Sequence, residues 1–150
     1  MSAIVKERSN VLNVEVSKRD VNGNDRRNNE ELELHRNMIV FADLGDIEEN
    51  NSNSVQKGKR PVLICSNNAN NRFSPNVTCV ILTTKITKRP LPTHVLLTKE
   101  NTPCLLKDSV CCCEQIVTLP KTSIERIIGT VSDKVMQEVN KAMMIQLGLM

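Results

Sequence analysis

Residues 61–83 read PVLICSNNANNRFSPNVTCVILT, two apolar, largely β-branched runs separated by the Asn-rich stretch 67–76. Short runs of this kind, bounded by Asn, Pro and Lys clusters, predict β-strands. Working outward, MIVFADL (38–44), THVLL (93–97), SVCCCEQIV (109–117) and IIGTV (127–131) bring the number of predicted strands to six. Several of these runs are nearly continuous rather than alternating. A strand with that pattern is covered on both faces, which predicts a small closed or half-closed barrel with its outer face shielded. The shield is predicted at the C-terminus. Ser132 is placed to cap a helix starting at Asp133, with Met136, Val139, Met143 and Leu147 at helical spacing on one face before Gly148 ends it. A shorter helical turn is expected near Pro120, whose fixed φ suits a first helical position. The fold class is mainly β with C-terminal helices.

Two connections are read as long loops: GDIEENNSNSVQKGK (45–59), which delivers the chain to Arg60 and Pro61, and NNANNRFSPN (67–76). Loops of this length at the mouth of a barrel commonly carry function. Residues 1–36 hold seven basic and seven acidic side chains and six Asn, so they read as a polar N-terminal extension without a core of its own. The net charge of +3 therefore resides in residues 37–150, read as the folded domain, where 13 basic groups face 10 acidic ones. An anionic partner is permitted but not required. No apolar run approaches the roughly 18 residues of a membrane span, and charge begins too early for a secretory signal, so a cytoplasmic protein is expected.

Trp and Tyr are absent, and Phe41 and Phe73 are the only aromatic residues, which excludes a module that stacks several bases on exposed rings. Of the six cysteines, Cys111, Cys112 and Cys113 are consecutive and Cys65, Cys79 and Cys104 sit near or within apolar runs, so reduced thiols are expected rather than bridges. Adjacent thiols on one strand alternate between faces and cannot converge on one ion. With no C-x-x-C pair, no metal site is predicted. A nucleophilic cysteine assisted by His94 is conceivable, but no local feature selects one thiol. Five glycines leave no room for a phosphate-cradling loop.

What remains is a set of polar residues at strand ends: Arg60, Thr83, Thr84, Lys85, Thr93, His94, Glu114 and Gln115. A guanidinium fork grips two phosphate oxygens and a hydroxyl reaches a third, so Arg60 and Thr83 suffice in kind for a phosphodiester site without metal. His94 is the only imidazole of residues 37–150, and imidazole is the side chain suited to moving protons near neutrality. Taken singly, each of these residues is more commonly an ordinary strand-edge group.

In order along residues 39–149, FADL, KGKRPVLICSN, NRFSPN, LTTK, LPTHVLL, DSVCCCEQI and a final helix ending IQLGL resemble the MazF/PemK family of type II toxin–antitoxin toxins. The resemblance implies an SH3-like antiparallel barrel. It also implies a homodimer that cuts single-stranded RNA, mostly messenger RNA, at short specific words without a metal or other cofactor. A cognate antitoxin is the implied protein partner, presenting acidic segments that the basic domain would attract. Carried over residue by residue, Arg60 and Thr83 are the expected catalytic pair, while Gln56, Asn67, Lys85, His94, Glu114 and Gln115 are expected to face RNA. A toxin of the same fold that binds DNA gyrase without catalysis is the alternative, and it would not need Arg60 and Thr83. A third class, a redox or metal sensor built on the cysteines, predicts bound zinc or reversible oxidation. The chain departs from the family pattern in three places. Asn37 and Met38 replace the usual Gly-Asp, Val55 stands where many members carry Glu, and the 45–59 connection is longer.

Overall fold

The computed structural model describes residues 32–46, 56–86 and 89–150. Residues 1–31 of the extension, and Val55 with the middle of the first long connection, lie outside the described residues. Six strands form among the described residues: β1 (Met38–Asp43), β2 (Lys59–Ile64), β3 (Asn76–Thr83), β4 (His94–Leu97), β5 (Ser109–Pro120) and β6 (Ile124–Thr130). They make one antiparallel sheet in the order β4-β5-β3-β2-β1-β6. No ladder joins β4 to β6, so the sheet is open rather than a closed barrel.

Both faces of the sheet are buried, the physical reason its strands read as unbroken apolar runs. One face carries Ile39, Leu63, Val80, Leu82, Cys111 and Cys113 and packs under helix α2 (Asp133–Gln146) through Val135, Met136, Val139 and Ala142. The other carries Val40, Val62, Ile64, Cys79, Ile81, Leu119 and Ile124, with Leu34 added from the chain before β1. Packing thus begins upstream of residue 37, the boundary suggested by composition. Arg36 also ties this segment down, its Nε donating to the Cys65 carbonyl at 3.0 Å and its Nη2 to the Asn140 side chain.

Helix α2 starts as expected, with Ser132 Oγ accepting from Val135 N–H at 3.2 Å. Its far end differs. Met143 is the last residue of the expected stripe to pack, whereas Leu147 is 57% exposed because the helix stops at Gln146. Gly148, at φ 69°, turns the chain away. Pro120 ends β5 and the expected helical turn follows as a 3₁₀ turn over Lys121–Ser123, with Pro120 one position before it rather than its first residue.

The second expected loop contains a helix, α1 (Asn68–Phe73). Asn67 Oδ1 caps it by accepting from Asn70 N–H at 2.8 Å, and the buried amide of Asn71 donates to the Ser66 carbonyl at 2.8 Å. These two bonds outweigh the poor helix propensity of an Asn-rich run.

One irregularity positions the site. On β3, Val80 pairs with Ile116 while its neighbour Ile81 pairs with Cys112, so Cys113, Glu114 and Gln115 form a bulge in β5 with no ladder partner on β3. Before the bulge Cys112 shares the Ile81 face, and after it Val117 shares that face again.

Candidate functional site

Two adjacent rows of side chains cross the same end of the sheet. The first is Val62, Ile81, Cys112 and His94, each opposite the next on β2, β3, β5 and β4. The second begins at Arg60. The β2–β3 ladder stops at Val62 and Ile81, since Pro61 has no N–H to continue it. Arg60, next to the start of β2, thus lies at the same end of the sheet as Thr83, the last residue of β3; Thr83 pairs with Val110, which pairs with Leu96. Residues two apart on a strand share a face, so both rows look the same way. Along them Arg60 and Thr83 are half-buried, His94 is 12% exposed in its side chain, and Leu96 at the β4 end is half exposed.

Arg60 is braced from both sides. Its Nε donates to the Lys57 carbonyl at 3.0 Å and its Nη1 to the side-chain oxygen of Gln56. Gln56 is anchored in turn, its N–H donating to Gln115 Oε1 at 3.1 Å. The β5 bulge thus holds the arginine through two glutamines. Thr83 Oγ1 accepts from the Lys85 backbone N–H at 3.2 Å, a contact that uses an oxygen lone pair and not the hydroxyl proton.

The bulge supplies Glu114 in the other direction. Its Oε1 lies 2.8 Å from His94 Nε2, and its Oε2 accepts from the Thr93 hydroxyl at 3.1 Å. His94 Nδ1 accepts from the Leu91 N–H at 3.3 Å, which assigns the ring proton to Nε2 and makes the imidazole the donor to Glu114. Beside this pair, burial pushes the Cys112 thiol up to about 11, with Glu114 and Cys113 adding to the rise and the Arg60 charge opposing it. A thiol so placed is about 10⁻⁴ thiolate at pH 7, too little for a resting nucleophile.

Of the residues expected from sequence, Arg60, Thr83, Gln56, His94, Glu114 and Gln115 come together at this end of the sheet. Lys85 stands just beyond Thr83, exposed. Asn67 is apart, past the opposite end of β2 from Arg60, with its side chain committed to capping α1. Sequence reasoning gave Thr93 no partner and Cys112 no place beside His94. Both follow from strand pairing, for which no local signal exists. Asn37 has φ 81°, and its carbonyl accepts from Val131 N–H at 3.0 Å. The left-handed backbone there explains why Gly is usual at this position and why Asn serves in its place.

A guanidinium, a hydroxyl, a carboxylate–imidazole pair and two amides gathered at one end of the sheet are the kinds of group that hold an anionic, hydrogen-bonding chain. The profile described as PemK-like, MazF-like toxin of type II toxin-antitoxin system matches residues 35–147. The endoribonuclease MazF of Staphylococcus saprophyticus is 40% identical over 116 residues, spanning 77% of this chain and 92% of that protein. Among solved structures, an endoribonuclease from a mycobacterial species aligns with a TM-score of 0.60 at 30% identity, over 77% of this chain and 92% of that one. A mycobacterial endoribonuclease in complex with its cognate antitoxin aligns with a TM-score of 0.61 at 31% identity, over 78% and 97%. The chain belongs to the PemK/MazF family of type II toxin–antitoxin toxins.

Proposed function

We propose that this chain is the toxin of a type II toxin–antitoxin system and an endoribonuclease that cuts single-stranded messenger RNA between Arg60 and Thr83. The observation that supports the site is the bracing of the Arg60 guanidinium by Lys57 and Gln56 near the start of β2, beside the end of β3 where Thr83 stands. RNA brings its own nucleophile. The 2′-oxygen attacks the adjacent phosphorus, the bond to the 5′-oxygen breaks, one proton leaves the 2′-hydroxyl and one is returned to the departing 5′-oxygen. Arg60 offsets charge on the phosphorane and Thr83 donates to a phosphate oxygen, both pre-positioned for the transition state. His94 and Glu114, 2.8 Å apart, are the pair assigned to proton relay. With no exposed ring stack, base selection falls to the amide and carboxylate edges of Gln56, Gln115 and Glu114 and to Lys85 on the backbone.

The naming of similar proteins as endoribonucleases favours catalysis over a gyrase-binding alternative. The complex formed by one of them supports a cognate antitoxin as partner. No helix among the described residues is long and apolar enough to cross a membrane. A homodimer is the working assembly, to be checked by sedimentation. The deciding experiment incubates the purified protein with a long unstructured RNA in EDTA and maps the new ends. Cuts at one recurring short word are expected, reduced by about 10²–10³ in Arg60→Ala. Near-normal cleavage by that variant removes Arg60 from the mechanism, and a random ladder points to a contaminant.

A further inference from the structure

The pairing of β4 with β5 places His94 directly opposite Cys112, and the β5 bulge brings Glu114 back over both. One imidazole nitrogen, one thiol sulfur and one carboxylate oxygen then lie within 4.8 Å of one another. We propose that His94, Cys112 and Glu114 form a binding site for a thiophilic divalent cation, Zn²⁺ by preference, on the RNA-facing side of the sheet.

The donor set argues for the metal. Nitrogen, sulfur and oxygen together suit zinc, and hard cations such as Mg²⁺ or Ca²⁺ do not take a thiolate. Tetrahedral bonds of about 2.0–2.3 Å need donors about 3.4–3.6 Å apart. The His94–Glu114 contact at 2.8 Å must open by about 0.6–0.8 Å, and a pair at the 4.8 Å limit must close by about 1.2–1.4 Å, changes within reach of side-chain rotation. An outer shell is already present, since the Thr93 hydroxyl holds Glu114 Oε2 and fixes which oxygen faces the cluster. Burial is suitable as well: Cys112 is 5% exposed and the His94 and Glu114 side chains 12% and 25%, so an ion is reachable yet sheltered. The proton balance is simple. The Cys112 thiol releases its proton to solvent, and the imidazole stays neutral by moving its proton from Nε2 to Nδ1, giving up the contact from Leu91 N–H. Three protein ligands leave a fourth position for water.

Because two of the ligands are residues assigned above to the RNA site, bound zinc excludes RNA or disables its cleavage. That second half rests on the nuclease reading; the metal site does not. The test titrates the full-length reduced protein with Co²⁺, reading the thiolate-to-metal charge-transfer band, and with Zn²⁺ against a chromogenic chelator. One ion per chain is expected. Cys112→Ala and the bulkier Cys112→Val should each abolish the charge-transfer band and weaken Zn²⁺ binding by at least about 100-fold. Cys104→Ala, which alters the half-buried thiol elsewhere, should change neither. Failure of the wild type to bind one equivalent, persistence of the band in both Cys112 variants, or its loss in Cys104→Ala overturns the site. In the RNA assay, wild type and Cys112→Val should both cut in EDTA, and one equivalent of Zn²⁺ should stop only the wild type. Unimpeded cleavage by wild type shown to hold zinc overturns the occlusion. Absence of cleavage by either protein in EDTA defeats the nuclease reading and the occlusion with it, while the spectroscopic result still decides the metal site.

Discussion

Arg60 is held by the Lys57 carbonyl and the Gln56 amide, so in the proposed site little ordering of it remains when RNA binds. A lysine keeps the charge but not the planar fork. Arg60→Lys should therefore retain less than about a tenth of wild-type cleavage under single-turnover conditions. On the proposed reading the Thr83 hydroxyl is the functional group and its β-branch the structural one. Thr83→Ser should stay within a few-fold of wild type, whereas Thr83→Val should lose about 10²-fold with an unchanged melting temperature. Asn37 carries a different burden, a left-handed backbone between hydrogen bonds to β2 and the chain after β6. Asn37→Gly should leave stability within about 1 kcal/mol, and Asn37→Val should destabilise by about 1–2 kcal/mol in urea titration. The roles proposed for Arg60 and Thr83 come only through family resemblance. The brace on Arg60 is local, since Gln56 and Lys57 precede it by four and three residues, yet no sequence pattern announces it. Thr93 reaching Glu114 was not readable, because it depends on β4 lying beside β5.

Among the elements, α2 shows what local chemistry can announce. A serine cap, an aspartate in the first turn and an apolar stripe all coincide, and the helix begins where they say. Ser132→Ala should cost about 1 kcal/mol, seen as a melting temperature lower by a few degrees. Helix α1 announces itself poorly, since its stability comes from Asn67 as cap and from Asn71, whose buried amide is satisfied by Ser66. An Asn-rich stretch gives no hint of which amide will be buried. Asn67 now separates two roles. Asn67→Asp keeps the cap acceptor and should preserve the melting temperature, while Asn67→Ala should lose about 1 kcal/mol. If neither variant changes the Km for RNA, Asn67 serves the fold alone. The expected stripe failed at Leu147 because periodicity continues past the point where a glycine turns the backbone.

At the scale of the whole molecule, the reading of unbroken apolar runs as a two-faced sheet was sound, and the count of six strands followed from turn chemistry. Closure was not readable. An open and a closed sheet bury the same alternating side chains, and only the missing β4–β6 ladder separates them. The two-sided core is also rich in thiols. Burial pushes Cys65 up to about 12 and raises Cys79 further, and Cys112 sits at about 11, all above the ordinary value of 9.0. A thiol whose pKa is higher folded than unfolded stabilises the fold fully below about 9, and this contribution disappears as pH rises through the folded values. Under reducing conditions the melting temperature should therefore be insensitive to these groups from pH 7 to 8.5 and should fall between pH 9 and 11. Cys79→Ala should show a shallower fall over the same interval.

The hump at Cys113–Gln115 also bears on how such proteins diverge. It lies outside the β3–β5 register, and its Gln115 holds the Gln56–Arg60 brace while its Glu114 holds His94. On the proposed reading, a change at Glu114 retunes which RNA word is cut and leaves the arginine's support in place, whereas a change at Gln115 alters both.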